Sequence, residues 1–350
     1  MNRYFNTAGP CVPDEHYMIP TKQRCKGLDI LIDQKQYFVI HAARQSGKTT
    51  LLNELASQLN AQGRYYALYC SLESVQNIGE PEKGIPGIVY ALKAAIEYHP
   101  ELSVKHFASE QNFNEFNVVL KRSLIEYCMK LDKPLIILFD EVDCLANGTL
   151  IAFLRQLRDG YVTRSNIPFV HSIGLIGMRN IRDYKGRIKE EQETLGSASP
   201  FNIVTEALTL TNFSRQEIEE LYAQHTAATG QIFPSEVVDA VYYYTQGQPW
   251  LVNAVAREIT VKILESNYTR EIISEYVEKA VENIIQRRDT HIDSLLMRLK
   301  EDRVRRIVEP VIVGEAKGFD FTDDDYQYVL DLGLLKNEKG VLTPSNPLYG

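Results

Sequence analysis

The sequence predicts an α/β fold: a mostly parallel sheet with helices on both faces, followed by an all-helical segment and a small unit of helices and a hairpin. Three observations carry this. Between residues 37 and 210 short apolar runs alternate with helical patterns, as they do when strands are buried on both faces. Beyond residue 210 the apolar spacing turns helical until a last extended stretch near the C-terminus. The 350 residues, 44% of them hydrophobic, suffice for one large domain or two to three small ones.

The elements follow in chain order. Pro10, Pro13 and Pro20 lie among aromatics in an N-terminal arm expected to be ordered but irregular. Tyr37-Phe38-Val39-Ile40-His41 is a buried strand, followed by a helix over about 48–60. Further strands are expected at 64–71, 134–139, 169–176 and 202–210, with helices at 85–98, 113–129 and 150–157. Ser214-Arg215-Gln216-Glu217 matches a capping box, in which Ser and Glu satisfy each other's orphan amides. Helices are expected over 214–228, 235–245, 249–266 and 270–286, with Pro249 at a helix start where its missing N–H costs nothing. Helices over 291–300 and 302–313 follow. Thr322 then caps a helix over 323–332, and 334–343 is expected to form a hairpin turning at Lys339-Gly340. The expected division is 1–210, the sheet-bearing core with its arm; 211–286, a helical lid; and 287–350, a winged-helix-like domain.

Composition excludes several classes. A net charge of −8 argues against a molecule that is basic overall and wraps nucleic acid. No apolar run reaches the ~20 residues that span a bilayer, and the N-terminus lacks the apolar core of a secretory signal. Five cysteines without framework spacing (Cys11, Cys25, Cys70, Cys128 and Cys144) read as reduced thiols of a cytoplasmic protein.

The strongest chemical signal is Ala42-Ala43-Arg44-Gln45-Ser46-Gly47-Lys48-Thr49-Thr50, set between a strand and a helix. A loop of this kind turns successive backbone amides inward to ring a phosphate, and the following helix presents its positive end to the same anion. Lys48 supplies a cation for the β- and γ-phosphate oxygens, and the Thr49 hydroxyl is placed to bind Mg²⁺. Ala42 stands where a glycine is usual, and its Cβ would be strained if the position required a positive φ.

The second signal is Leu135-Ile136-Ile137-Leu138-Phe139-Asp140-Glu141, a buried strand ending in two carboxylates. Such a strand delivers its last residues to the sheet edge where ligands bind. Asp140 there can hold Mg²⁺ through water, and Glu141 can polarise the attacking water as a general base. Asp143 reads as a cap of the next segment. Together the two signals point to a P-loop NTPase sheet. Leu175-Ile176-Gly177-Met178-Arg179-Asn180 ends another strand, which this architecture places between the two motif strands. Arg179 would then reach a γ-phosphate or else be a surface residue of the turn, with Arg182 a weaker competitor. Arg155 and Arg158 share a helix face, and Arg158 is the better candidate for an arginine finger acting on a neighbouring subunit; pairing with acids is the alternative.

Gln246-Gly247-Gln248-Pro249-Trp250 opens a helix of the lid, with the sole tryptophan in its core and Pro249 near the base. His41, His171 and His291 lack partners at metal-binding spacing. Residues 287–306 hold seven basic and four acidic side chains, a net of +3, which suits either phosphate contact on nucleic acid or a solvated amphipathic face.

These motifs, with Phe5-Asn6-Thr7-Ala8-Gly9-Pro10, His16-Tyr17-Met18-Ile19-Pro20, Gly247-Gln248-Pro249-Trp250-Leu251-Val252-Asn253 and Ser345-Asn346-Pro347-Leu348-Tyr349, give the chain a resemblance. It resembles the AAA-like ATPase family, close to the STAND and archaeal-type P-loop ATPases, over nearly its whole length. The resemblance implies ATP binding with Mg²⁺, a helical lid and a winged-helix module. It places Lys48 and Thr49 on phosphate and metal, Asp140 on the metal, Glu141 on the water and Arg179 in the sensor position. Tyr17 to Pro20, with Tyr17 and Ile19 foremost, would lie beside the adenine and Pro249 would face it; residues 43–50 would cradle the phosphates. Family members often continue into a restriction-endonuclease-like domain, which is expected to be absent here. Ala42-Ala43 departs from the commoner Gly-Pro pair.

The expected activity is ATP hydrolysis at the β–γ bond driving a conformational switch. The alternative is a nucleotide-bound scaffold or DNA-binding regulatory module with little turnover, in a defence system; a third option is a sensor subunit that works through protein partners or self-association.

Overall fold

The computed structural model describes residues 3–107, 112–177, 204–287, 290–314, 323–338 and 340–347. The chain forms two compact units. One comprises Cys25–His41 and Leu51–Thr209, the other Met1–Arg24, Ala42–Thr50 and Leu210–Gly350.

The first unit is the sheet. Its strands are β1 (Tyr37–His41), β2 (Tyr66–Ser71), β3 (Leu135–Asp140), β4 (Ser172–Gly177) and β5 (Val204–Thr209). They lie in the order β2-β3-β4-β1-β5, and every pairing is parallel. All residues of β3 and β4 are buried, so both faces are covered. That is why these strands read as unbroken apolar runs rather than alternating ones.

On one face Tyr37, Val39, Leu68, Ile137, Phe139 and Leu175 join a core with α3 (Pro81–Tyr98), α4 (Val119–Cys128) and α5 (Asn147–Thr163). The intervening residues Phe38, Ile136 and Leu138 face the other way, where α1 (Leu28–Asp33) and most of α2 (Lys48–Ala61) belong. Asn60 of α2 clips the edge strand there, accepting from Ala67 N at 2.8 Å and donating to Ala67 O at 2.9 Å. Each fully buried aliphatic or aromatic side chain of this kind contributes about 1.5–3 kcal/mol.

Three helices packed on the sheet start elsewhere than the sequence-based expectation, α5 at Asn147 rather than 150. Helix α3 begins at Pro81 rather than 85; Pro81 occupies the first helical position, where it is tolerated, ahead of the apolar pattern. Helix α4 begins at Val119 rather than 113. The Asn112 side chain accepts from Asn114 N at 3.1 Å, and this local turn competes with the helix.

The second unit is helical. It holds α6 (Arg215–Thr229), α7 (Ser235–Thr245), α8 (Pro249–Arg257), α9 (Glu275–Arg287), α10 (Thr290–Leu299), α11 (Asp302–Ile312) and α12 (Asp324–Asp331), then the hairpin β6 (Leu335–Glu338) and β7 (Val341–Pro344). The capping box of α6 is formed on both sides, with Ser214 Oγ accepting from Glu217 N and Glu217 Oε2 from Ser214 N. The helix expected over 249–266 changes character at Glu258, where Glu258–Ile263 widens into a π-helical turn. There the buried Glu258 carboxylate accepts from Arg287 at 2.8 Å and from Asn283 at 3.0 Å. Phe5, Tyr17 and Ile19 of the arm are buried in the core of α6 to α9, and the last helices and hairpin pack around Val304, Ile307, Tyr326 and Val329. The expected cap Thr322, Lys339 of the expected turn and the terminal Leu348-Tyr349 lie outside the described residues.

Candidate nucleotide-binding site

The phosphate-loop sequence follows β1 without a break and ends in the first turn of α2. Its left-handed residues are Gln45 (φ 59°) and Gly47 (φ 92°). Ala42 does not adopt a positive φ, so alanine at the usual glycine position carries no backbone strain.

The buried Lys48 ammonium donates to the carbonyl oxygens of Ala42 at 2.9 Å and Ala43 at 3.0 Å. This draws the loop around its own cation at the N-terminal, positive end of α2. The Ser46 hydroxyl is buried and has no hydrogen-bond partner among the described residues. The Thr50 hydroxyl accepts from Cys11 N at 3.0 Å and so anchors the arm beside the loop.

Two residues that sequence reading did not single out as loop contacts hold the outer side of the loop. Arg24, 4% exposed, donates to Ser46 O at 2.8 Å and to Thr211 O through Nε at 2.9 Å, and its guanidinium lies 4.6 Å from the centre of the Phe213 ring. Gln248 Nε2 reaches Arg44 O at 3.4 Å and Gln45 O at 3.3 Å, while its Oε1 caps Leu251 N at 2.6 Å. Gln248 lies inside the Gln246–Trp250 motif and was findable there. Arg24 had no local signal.

Gly247 explains the tight entry to α8. A Cβ at that position would lie 1.8 Å from Phe213 O, and Phe213 N donates to Gly247 O at 2.8 Å. Trp250 Nε1 donates to Thr7 O at 2.9 Å, and Pro249 is the buried first residue of α8. From the C-terminal segment, Gly333 in the turn after α12 approaches Ala43, and Lys336 of β6 donates to Gln246 Oε1 at 3.4 Å.

Tyr17 and Ile19 are buried beside Phe5 in the helical core, with the Tyr17 and Phe5 ring centres 4.8 Å apart. Between them Met18 is clipped to α6, its amide donating to Gln224 at 3.1 Å and its carbonyl accepting at 2.7 Å.

The acidic motif stands at the C-terminal end of β3. Asp140 is 1% exposed; its Oδ1 accepts from Glu141 N at 3.0 Å and its Oδ2 from the Tyr69 hydroxyl at 3.2 Å. Burial, then the neighbouring Asp140 carboxylate, pushes the Tyr69 phenol well above its ordinary pKa. Glu141 is left-handed (φ 57°, ψ 37°) and half-buried at the start of a short 3₁₀ turn. Within the sheet, β4 separates β3 from β1, so the ends of the two motif strands lie at one edge about 10 Å apart at the usual strand spacing. His41 closes that edge toward β5, its Nε2 3.0 Å from Thr209 Oγ1. Arg179 and its neighbours Met178, Asn180 and Arg182 lie outside the described residues. Arg155 is exposed and Arg158 half-buried on α5, three turns beyond its start.

The arginines of residues 287–306 are largely engaged. Arg287 pairs with Glu258, Arg298 with Glu301, Arg303 with Asp325, Arg305 with Asp302, and Arg306 with both Asp323 and Asp325. The local excess of positive charge is therefore met by acids from other parts of the sequence. Among the described residues no helix is long and apolar enough to cross a membrane.

Comparison with known proteins places this architecture. In solved structures the chain is similar to the Walker-type ATPase PABY2304 of Pyrococcus abyssi, with a TM-score of 0.62 at 14% identity over 99% of this chain and 98% of that one. It is also similar to the ORC2 protein of Aeropyrum pernix, determined with ADPNP and ADP, with a TM-score of 0.52 at 13% identity over 92% of this chain and 89% of that one. No curated protein matches its sequence. The model of the AAA-like domain matches residues 19–350, and with the parallel P-loop sheet described above this makes the chain a member of the AAA-like domain family.

Proposed function

We propose that the protein is a Mg²⁺-dependent ATPase in which ATP binding and hydrolysis drive a conformational switch. One observation supports this above the others: a buried lysine held by two carbonyls of a strand-to-helix loop that carries left-handed residues at Gln45 and Gly47. The loop's polar groups suit a polyphosphate, since the buried Ser46 hydroxyl, which has no hydrogen-bond partner among the described residues, can donate to one.

In this reading residues 43–50 bind the phosphates, Lys48 neutralises the β- and γ-oxygens, and Thr49 and Asp140 hold the cation. No cluster of three or more His, Cys, Asp or Glu among the described residues could cage a metal. A Mg²⁺ ion held mainly by phosphate oxygens, water and one or two protein oxygens fits that donor set. Magnesium would supply charge neutralisation on the phosphates; Glu141 orients and deprotonates the attacking water, and Arg179 serves as the sensor. Arg158 is proposed to act on a neighbouring copy, which makes self-association part of the reading. Tyr17, Ile19 and Pro249 are proposed to border the base.

In this reading residues 1–210 act as the core with its arm, 211–286 as a lid and 287–350 as a winged-helix-like module, in a cytoplasmic protein. The contacts of Gln248 and Gly333 with the loop give the lid and the last module a route by which they sense the nucleotide. A ligand shifts such an equilibrium only through unequal affinity for the two states. Phosphate release from ATP by the purified chain, against Lys48→Ala and Glu141→Gln, tests the proposal; turnover that survives both substitutions would sink it.

The second reading is a nucleotide-bound scaffold that contacts DNA with little turnover. The ion pairs that engage Arg287, Arg298, Arg303, Arg305 and Arg306 weigh against its DNA part.

A further inference from the structure

We propose that Tyr69 is a positioning residue for the divalent cation: its hydroxyl holds the Asp140 carboxylate in the orientation in which that carboxylate meets the metal. The inference rests on the proposed function, which assigns Asp140 to Mg²⁺.

The geometry comes from the parallel register of β2 and β3, where Tyr69 lies opposite Leu138 and Ser71 opposite Asp140. Strand alternation puts Tyr69 and Asp140 on the same face. A phenol is long enough to bridge the diagonal, and its oxygen lies 3.2 Å from Asp140 Oδ2. The other oxygen, Oδ1, accepts from the Glu141 amide at 3.0 Å. The carboxylate therefore cannot turn about its Cβ–Cγ bond without giving up both donors, and at 1% exposure water does not replace them readily. An ionised carboxylate has about four acceptor positions, and these two hydrogen bonds take one on each oxygen. Tyr69 is the donor of the pair, because an ionised carboxylate can only accept and the phenol carries the O–H. Neither residue carries a local sequence signal for the pair, since only the strand register brings them together.

The experiment uses the full chain with ATP and Mn²⁺, reading bound Mn²⁺ by electron paramagnetic resonance and bound ATP by calorimetry. Tyr69→Phe, which removes one oxygen atom, is expected to raise the Mn²⁺ concentration for half-occupancy about ten-fold, the low end of what losing an outer partner of a metal ligand costs. ATP affinity in chelator should not change. In an Asp140→Asn background the same substitution should add no further loss, because the two residues act as one unit. Should Tyr69→Phe fail to fold, Tyr69→Leu, which likewise removes the donor, is expected to show the same rise in the Mn²⁺ midpoint with ATP affinity in chelator unchanged. Equal Mn²⁺ midpoints for the unmodified chain and Tyr69→Phe, or losses that simply add to those of Asp140→Asn, would overturn the inference and leave the ATPase reading intact. An unmodified chain that binds no ATP at any cation concentration would remove both.

Discussion

The Arg24 guanidinium donates to the Ser46 carbonyl at 2.8 Å, on the side of the phosphate loop away from its amides. In a trans peptide the carbonyl and the following N–H point in opposite directions. Fixing Ser46 O therefore fixes the aim of the Gly47 amide, and Gln248, bonded to Arg44 O and Gln45 O, does the same for the amides of Gln45 and Ser46. The loop's anion-binding face is thus held from behind. Arg24→Met should weaken ATP binding about ten-fold although the residue is not assigned to the nucleotide, a loss of one or two charge-assisted hydrogen bonds. It should also lower the melting temperature, because Ser46 O and Thr211 O lose a buried donor. Calorimetric titration and thermal unfolding read the two effects separately.

Lys48→Ala should abolish measurable ATP binding. The ammonium is the cation of the loop and, without a ligand, the tie between Ala42 O and Ala43 O. Affinity within about three-fold of the unmodified chain, where losing a charge-assisted contact should cost far more, would contradict the assignment.

Glu141→Gln should leave ATP binding in place and slow phosphate release by about 10²–10⁴-fold, the usual range for a lost general base. Single-turnover measurement with saturating ATP separates chemistry from binding. The left-handed backbone of Glu141 predicts a second trait: Glu141→Gly should tolerate the turn and lose only the chemistry.

Gly247→Ala should destabilise the helical unit strongly, by about 3 kcal/mol or more, since a methyl group would overlap the Phe213 carbonyl at a position whose φ is +72°. The drop is to be read by thermal unfolding with and without ATP. If the lid senses nucleotide through Gln248, the stabilisation by ATP should shrink along with the melting temperature.

Stability should decline as pH falls below about 6.5, the ordinary histidine value. Burial lowers the pKa of His16, His41, His99, His171 and His225. Protonation therefore favours the unfolded chain; stability is complete above the unfolded-state pKa and is lost on descending toward the folded-state values. Melting curves from pH 8 to pH 5 check the sign. His225→Gln should flatten part of the slope, because His225 sits against Phe5, Phe233 and Gln231 in the helical core.

Much of this molecule was legible in local sequence because the responsible physics is local. The unbroken apolar run from Leu135 to Phe139 announced a strand buried on both faces, and the capping box at Ser214 formed as its spacing required. The loop from Ala42 to Thr50 was recognisable because amides, lysine and helix end act within a few residues of one another. Where the expectation fell short the cause was local too: Pro81 takes the first helical position of α3, ahead of the apolar pattern, and the turn at Asn112 was hidden within an apolar helical pattern.

The sequence by itself determined the sheet, the helical continuation and the residues able to meet a phosphate and a cation. Only tertiary structure decided what holds those residues still. Strand register brought Tyr69 to Asp140, and folding brought Arg24, Gln248 and Gly333 to the loop across separations of roughly 20 to 290 residues. It also set Asp323 and Asp325 against arginines whose charge, counted along the chain, suited phosphate contact on nucleic acid and a solvated face equally. A hydrogen bond or ion pair depends on distance in space and carries no periodicity along the chain, so partners of this kind leave no pattern in the sequence to find.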